Sequence, residues 1–182
     1  VPDGLATPSP WRTSRLRIEQ LRPEHAEALF EALDDPRVGA FVGGAFAESS
    51  SALAARIARQ TAGPPADRVD ERWWNFVVAV DGVGTVGTLQ ATLHGDWAEI
   101  AYLFAPRAWG RGLATEGVTW LVEHLRSQRA REVWATTDPD NQASSALLRR
   151  CGFTLTSLDR RTPASYDPGD LVFVRDLAVD AD

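Results

Sequence analysis

Two clusters of glycine carry the first chemical signal. "RAWGRG", residues 107–112, sets Arg107 and Arg111 among Gly110 and Gly112. An apolar stretch ends just before it, at Phe104 or Ala105, and an amphipathic run comes after it with Leu113, Ala114, Val118, Leu121, Val122 and Leu125. A helix that opens there has N–H groups without intrahelical partners, and these, helped by the helix dipole, bind anions. Missing side chains at the glycines let a phosphate approach the backbone, and the arginines add charge. A plain glycine-rich turn is the alternative reading. "GVGTVG", residues 82–87, matches G-x-G-x-x-G, the dinucleotide-binding fingerprint. That fingerprint needs a helix after it. The next residues are instead "TLQATLHG", where Leu89, Ala91 and Leu93 alternate at period two and predict a strand. Gly82 and Gly84 are read as hairpin residues, and a dinucleotide oxidoreductase is disfavoured.

The elements that must position the 107–112 turn are legible in outline. Residues 1–11, "VPDGLATPSPW", carry three prolines and predict a loose lead-in to a single domain over 12–182. "SRLRIEQLR" predicts a first strand, and Pro23 with Ala26, Leu29, Phe30 and Leu33 predicts a helix near 23–34. A second helix begins at Ser49 or Ser50 and stops at Gly63-Pro64-Pro65. Turn signals at Asp81-Gly82 and Gly95-Asp96 divide three antiparallel strands near 73–80, 85–94 and 97–104. Then come a helix over about 111–127, the strand "REVWATTD", a helix in "NQASSALLRRCGF" with Ala143, Leu147 and Leu148 inward, and the strands "FTLTSLDR" and "DLVFVRDL". The fold class is α/β (α+β): a mixed seven-stranded sheet with helices on both faces.

Composition narrows the function. The 182 residues carry a net charge of −6, which disfavours nucleic acid and mildly favours a cationic partner such as an amine. The apolar run "FVVAV" is far too short to span a membrane, no basic-then-apolar opening marks a signal peptide, and one cysteine excludes an internal disulfide framework. A cytoplasmic location is the default expectation. His25, His94 and His124 are too scattered for a metal site, and Cys151 without a companion His reads as a buried, inert thiol. Trp73, Trp74, Trp97 and Trp109 suit core packing first and a substrate cleft second.

Arg107-Ala108-Trp109-Gly110-Arg111-Gly112 resembles the Q/R-x-x-G-x-G/A motif of the GCN5-related N-acetyltransferases (GNAT). "AEIAYLFAPRAWGRGLATEGV" is similar to their Rim-type branch, the N-terminal acetyltransferases of ribosomal proteins. "NQASSALLRRCGF" resembles that branch's N-x-x-S-…-G-F helix, and "LRPEHAEALFEALDDPRV" its opening strand and helix. The resemblance covers roughly 14–178. It implies a GNAT fold in which strand 97–104 splays from strand 132–137, opening a slot for acetyl-CoA or another acyl-CoA. The pantetheine would pair with backbone of Leu103, Phe104 and Ala105. The pyrophosphate would meet Gly110, Arg111, Gly112, Leu113 and Ala114, with Arg107 adding charge, and Asn141 would reach the pantetheine or acyl region. The branch also offers homodimers as a precedent.

Acyl transfer to an amine needs a base, an oxyanion donor and a proton for the leaving thiolate. The resemblance places Glu99 as the base, with Asp96 the weaker choice; a solvated strand carboxylate is the other reading of Glu99. A backbone N–H near Leu103 would serve the oxyanion. Many relatives place a Tyr acid on the helix after Asn141, where this chain has Leu148. Ser144 is then the candidate relay to the thiolate, or else a capping or packing serine. The implied function is transfer of an acetyl group to a primary amine, either a protein N-terminus or a small molecule. Another acyl group such as succinyl, or a non-catalytic acyl-CoA sensor, are the alternatives. The acceptor site would involve the first two helices and the 160–169 loop, which carries no readable motif.

Overall fold

In a computed structural model, residues 9–41, 44 and 46–177 are described. Eight strands form one sheet in the order β1-β2-β3-β4-β5-β6-β8-β7. They are β1 (Trp11–Arg12), β2 (Arg17–Gln20), β3 (Glu71–Val80), β4 (Gly84–His94), β5 (Trp97–Phe104), β6 (Glu132–Thr137), β7 (Thr154–Thr156) and β8 (Leu171–Asp176). The helices are α1 (Ala26–Leu33), α2 (Pro36–Gly39), α3 (Ser50–Thr61), α4 (Leu113–Ser127) and α5 (Gln142–Arg150), with 3-10 turns at Pro23–His25 and Pro106–Ala108. The architecture is the expected mixed sheet, with eight strands where the sequence predicts seven. The added strand is β1. Trp11 pairs with Ile18, and its ring meets Phe76 edge-on, so the chain joins the sheet before residue 12. Most of the predicted lead-in lies outside the described residues.

Strand alternation divides the core between two layers. Phe76, Val78 and Leu89 point to one face, where Val118, Leu121 and Leu125 of α4 and Leu148 of α5 cover them. Val77, Leu103 and Ala105 point to the other face, under Leu29 and Leu33 of α1 and Leu53 and Ile57 of α3. At the far end of that second face, Trp134, Val172 and Val174 pack with Trp97, Leu158 and Tyr166. Ser49 caps α3, its hydroxyl accepting from Ala52 N–H at 3.1 Å. α5 buries Leu147 and Leu148 as expected, whereas Ala143 is exposed.

Gly87, the last glycine of the "GVGTVG" cluster, has a packing reason. A Cβ there would collide with the Leu103 carbonyl oxygen across the β4–β5 ladder. β4 runs on as a strand, so the cluster is a hairpin turn ending in a close backbone approach. Gly117 of α4 plays the same role between layers: a Cβ would meet Phe104 Cζ at 3.1 Å.

Candidate active site

The site begins as a fork in the sheet. β5 and β6 are the sheet's one parallel pair, and they pair only through Trp97–Glu132, Ala98–Val133 and Glu99–Trp134. Beyond Glu99 both strands continue, but apart, while β5 stays paired to β4 as far as Phe104. One backbone edge of β5 therefore opens into a gap. Ala105 donates its N–H to Val86 O at 2.8 Å. Alternation along an antiparallel ladder then turns the backbone of Leu103 toward β4 and the backbone of Tyr102 and Phe104 toward the gap. The backbone groups near Leu103 that face the gap are thus those of its neighbours, Tyr102 and Phe104. The Phe104 carbonyl accepts from Trp109 Nε1 at 2.7 Å, which ties the next turn to the strand end.

That turn has the features an anion needs. Gly110 and Gly112 adopt left-handed φ of 68° and 72°, a conformation that favours glycine. Space beside Gly110 is open: a Cβ there would meet nothing within 4 Å. Gly112 is the N-cap of α4 and supplies no side-chain cap, so the first N–H groups of the helix at Leu113 and Ala114 face outward without one. α4 starts at Leu113, two residues later than predicted, because the glycines lie outside the helix. Arg111 is exposed at the turn, while Arg107 donates to Thr85 O and anchors the turn to β4.

A clamp holds this turn from below. Glu116 accepts from Thr13 Oγ1, Ser14 Oγ and Arg15 N–H, and pairs with Arg15 Nε at 2.6 Å. Arg15 Nη1 also donates to Arg111 O at 2.7 Å. Burial pushes the Glu116 carboxyl up, but the hydrogen bonds from Thr13, Arg15 and Ser14 outweigh it and bring it down to about 2. It is thus a carboxylate at any physiological pH.

At the fork itself, Glu99 is 8% exposed, which removes the reading of a solvated strand carboxylate. Its Oε2 accepts from Ser165 N–H at 3.0 Å and Ser165 Oγ at 3.1 Å; its Oε1 lies 3.0 Å from His94 Nε2. Ser165 belongs to the 160–169 loop, so the fork and that loop meet at this carboxylate. Glu99 shares a face with Leu103, whereas Tyr102 lies on the α4/α5 face. There the Tyr102 hydroxyl is 2.8 Å from Ser144 Oγ. Burial pushes the Tyr102 phenol up to about 12 against the opposing pull of that hydrogen bond. Asn141 is the N-cap of α5, its Oδ1 accepting from Ser144 N–H at 3.0 Å. Its side-chain oxygen is committed to the helix, leaving the NH2 for any further contact. Asp96 is exposed in the β4–β5 turn, away from the fork. Cys151 is 3% exposed, and burial pushes its thiol up. Among the described residues, no group of His, Cys, Asp or Glu could hold a metal ion.

The family model for the acetyltransferase (GNAT) domain matches residues 15–154. The chain belongs to the GNAT family. Solved structures of similar fold include RimL, a ribosomal L7/L12 alpha-N-protein acetyltransferase in complex with coenzyme A (19% identity, TM-score 0.74, covering 97% of this chain and 99% of that one). A GNAT-family acetyltransferase from Bacillus anthracis matches at 18% identity and TM-score 0.71, over 91% of this chain and 96% of its own. An acetyltransferase from Agrobacterium tumefaciens str. C58 matches at 22% identity and TM-score 0.70, over 96% and 98%.

As a GNAT enzyme this protein is an acetyl-CoA-dependent N-acetyltransferase. The residues suit that donor: an open strand edge at Tyr102 and Phe104, and uncapped N–H groups at Leu113 and Ala114 beside an open Gly110. Three residues that contact the candidate site residues or the turn escape a reading of the sequence. Tyr102 stands there as one of two tyrosines, Glu116 as a helix residue, and His94 as a scattered histidine. The first and third are visible only once the strands are in register. For Glu116, Thr13-Ser14-Arg15 gives no hint of a partner a hundred residues on. Among the described residues, no helix is long and apolar enough to cross a membrane.

Proposed function

We propose that this N-acetyltransferase acylates a primary amine, with Glu99 as the base and Ser144, set by Tyr102, as the donor to the departing sulfur. The supporting observation is the fork: β5 leaves β6 just after Glu99, and the two polar groups lie on opposite faces of the open segment. A proton can be taken from the amine on one face and a hydrogen bond supplied to the leaving group on the other. Acetyl-CoA supplies the activated acyl group. The open edge at Tyr102 and Phe104 and the N–H groups after Gly112 would hold it, with Arg111 adding charge.

Each side chain then has one task. Three of the four acceptor positions on Glu99 are filled by Ser165 and His94, which leaves one for the amine proton. The Phe104 or Tyr102 N–H faces the gap and stabilises negative charge developing on the acyl oxygen. The Tyr102 phenol stays protonated at neutral pH and so can donate to Ser144 Oγ, the arrangement that leaves the serine proton for the sulfur. Asn141 fixes the first turn of α5 and so the position of Ser144. The acceptor is an α-amine at a protein N-terminus or a small primary amine. An α-amine, at about pKa 8, is deprotonated more readily than a lysine amine at about 10.4. RimL, named for an alpha-N acetylation, supports the first class.

The test is thiol release from acetyl-CoA and succinyl-CoA with a panel of peptides bearing free α-amines, lysine analogues and small amines. Turnover of acetyl-CoA with an α-amine is the expected result. Tight cofactor binding with no thiol release from any amine would replace the enzyme reading by that of a sensor.

A further inference from the structure

We propose that His94 is a positioning residue for acyl transfer: it orients Glu99 as a base while neutral and disarms it when protonated. The proposal rests on Glu99 being the base. Glu71, His94, Trp97 and Glu99 lie on one face at the ends of β3, β4 and β5, where Glu71 pairs with His94 and His94 with Trp97. His94 Nε2 is 3.0 Å from Glu99 Oε1, and Nδ1 is 3.6 Å from Glu71 Oε1. The ring stacks on Trp97 at 4.3 Å and 16°, which fixes its plane between the two carboxylates. Glu71 is itself held, by Trp73 Nε1 at 2.9 Å and Arg68 Nη1 at 3.4 Å.

Lone pairs decide where a substrate proton can go. Ser165 fills both acceptor positions on Glu99 Oε2. The remaining position is on Oε1, the oxygen that His94 already holds. Any amine proton must therefore arrive beside the imidazole. With a neutral ring, the Nε2–H donates to Oε1 without charge, and the Nδ1 lone pair faces Glu71. Protonation adds a second N–H at Nδ1, directed at Glu71, and places a cation between two carboxylates. Glu99 is then one half of an ion pair and a poorer base. The charged groups around the ring are Glu71 and Glu99, with Arg68 behind Glu71 and Arg161 over the Trp97 ring at 4.1 Å. An imidazole changes charge between about pH 5 and 8.

Imidazole resonances resolve the matter without knowledge of the acceptor, because the chain has three histidines. In NMR spectra of the whole protein at one pH, Glu99→Gln and Glu71→Gln should each displace the His94 imidazole resonances, since each changes a group within 4 Å of a ring nitrogen. His94 resonances unmoved in both variants overturn the proposal. The kinetic arm uses acetyl-CoA and an alanyl or seryl tripeptide amide. There His94→Gln, which keeps a donor to Glu99 but cannot take up a proton, should retain the KM for acetyl-CoA, and its kcat should fall less steeply than that of wild type as the pH is lowered. A loss of turnover in Glu99→Gln with a wild-type pH profile in His94→Gln leaves the base standing and removes the role of His94. Full turnover in Glu99→Gln removes both.

Discussion

Glu99→Gln tests the chemistry with little change of shape, because Gln keeps one carbonyl acceptor for Ser165 and loses basicity. The expected result is a fall in kcat of about 10²-fold or more with acetyl-CoA affinity little changed. Part of the loss should return at higher pH, where more amine is already neutral. Full activity across the pH range would assign proton removal to another group or to bulk water. On the opposite face, Ser144→Ala should lower turnover by about 10-fold and affect acetyl-CoA affinity less, since the thiolate exists only as the bond breaks. Tyr102→Phe removes one hydrogen bond to Ser144, worth about 1 kcal/mol, and should cost about 5-fold in kcat. The double variant should be no worse than Ser144→Ala, because the tyrosine acts through the serine; multiplicative losses would show that Tyr102 has a separate role.

Elements make these residues meet, and the α4 turn is the clearest case. Gly112→Val forces a β-branched residue into a left-handed φ of 72° and puts a side chain beside the uncapped N–H groups. Acetyl-CoA affinity by calorimetry should fall by about 10-fold or more while circular dichroism stays that of a folded sheet. Glu116→Gln acts on the same turn from beneath. The folded Glu116 carboxyl titrates at about 2 against 4.5 for the free group, so its contribution is complete above about pH 4.5 and lost as pH falls toward 2. The variant should be less stable than wild type at pH 7, and the gap between the two should close on going down through that window. An equal gap at neutral pH and near the folded pKa would show that the clamp works by packing and not by charge.

The motif 107–112 and the strand 97–104 are legible in the sequence because both are local: glycines before an amphipathic run, and alternation after a turn signal. The splay is expected from resemblance alone, since no local pattern says where two parallel strands part. Ladder parity is likewise invisible to a motif: the resemblance implies a backbone donor near Leu103, and only the ladder turns the backbone of its neighbours Tyr102 and Phe104 to the gap. The strand predicted over "FTLTSLDR" shortens to Thr154–Thr156. There Arg160 turns back to pair with Glu132 at 2.5 Å and Asp176 at 3.2 Å, bending the chain toward the Glu99 face.

At the scale of the whole molecule, the N-terminal strand, the sheet and α4 converge on one histidine. His124 lies edge-on to Trp11 at 5.7 Å, Trp74 at 4.8 Å and Phe76 at 5.5 Å, and stacks on Trp120 at 5.2 Å. Its Nε2 is buried without a hydrogen-bond partner. Burial among these rings lowers the His124 pKa below 6.5, and no acidic group offsets it. His25 is lowered as well, again chiefly by burial. A histidine whose folded pKa is depressed binds fewer protons folded than unfolded, so stability rises with pH between the folded pKa and about 6.5, and falls as pH drops through that window. Acid should thus loosen the joint between β1, β3 and α4 before it protonates Glu116. His124→Phe keeps a flat ring in the aromatic cluster and cannot take up a proton. Melting temperature measured from about pH 7.5 to about pH 5 should drop less steeply in His124→Phe than in wild type. It should not become flat, because His25 still titrates. For a chain of this size each kcal/mol moves the melting temperature by roughly 2–4 °C, so a difference in slope is measurable. Parallel curves for the two proteins would mean that His124 accepts its proton in the folded state without cost, and that the aromatic cluster opens to water there.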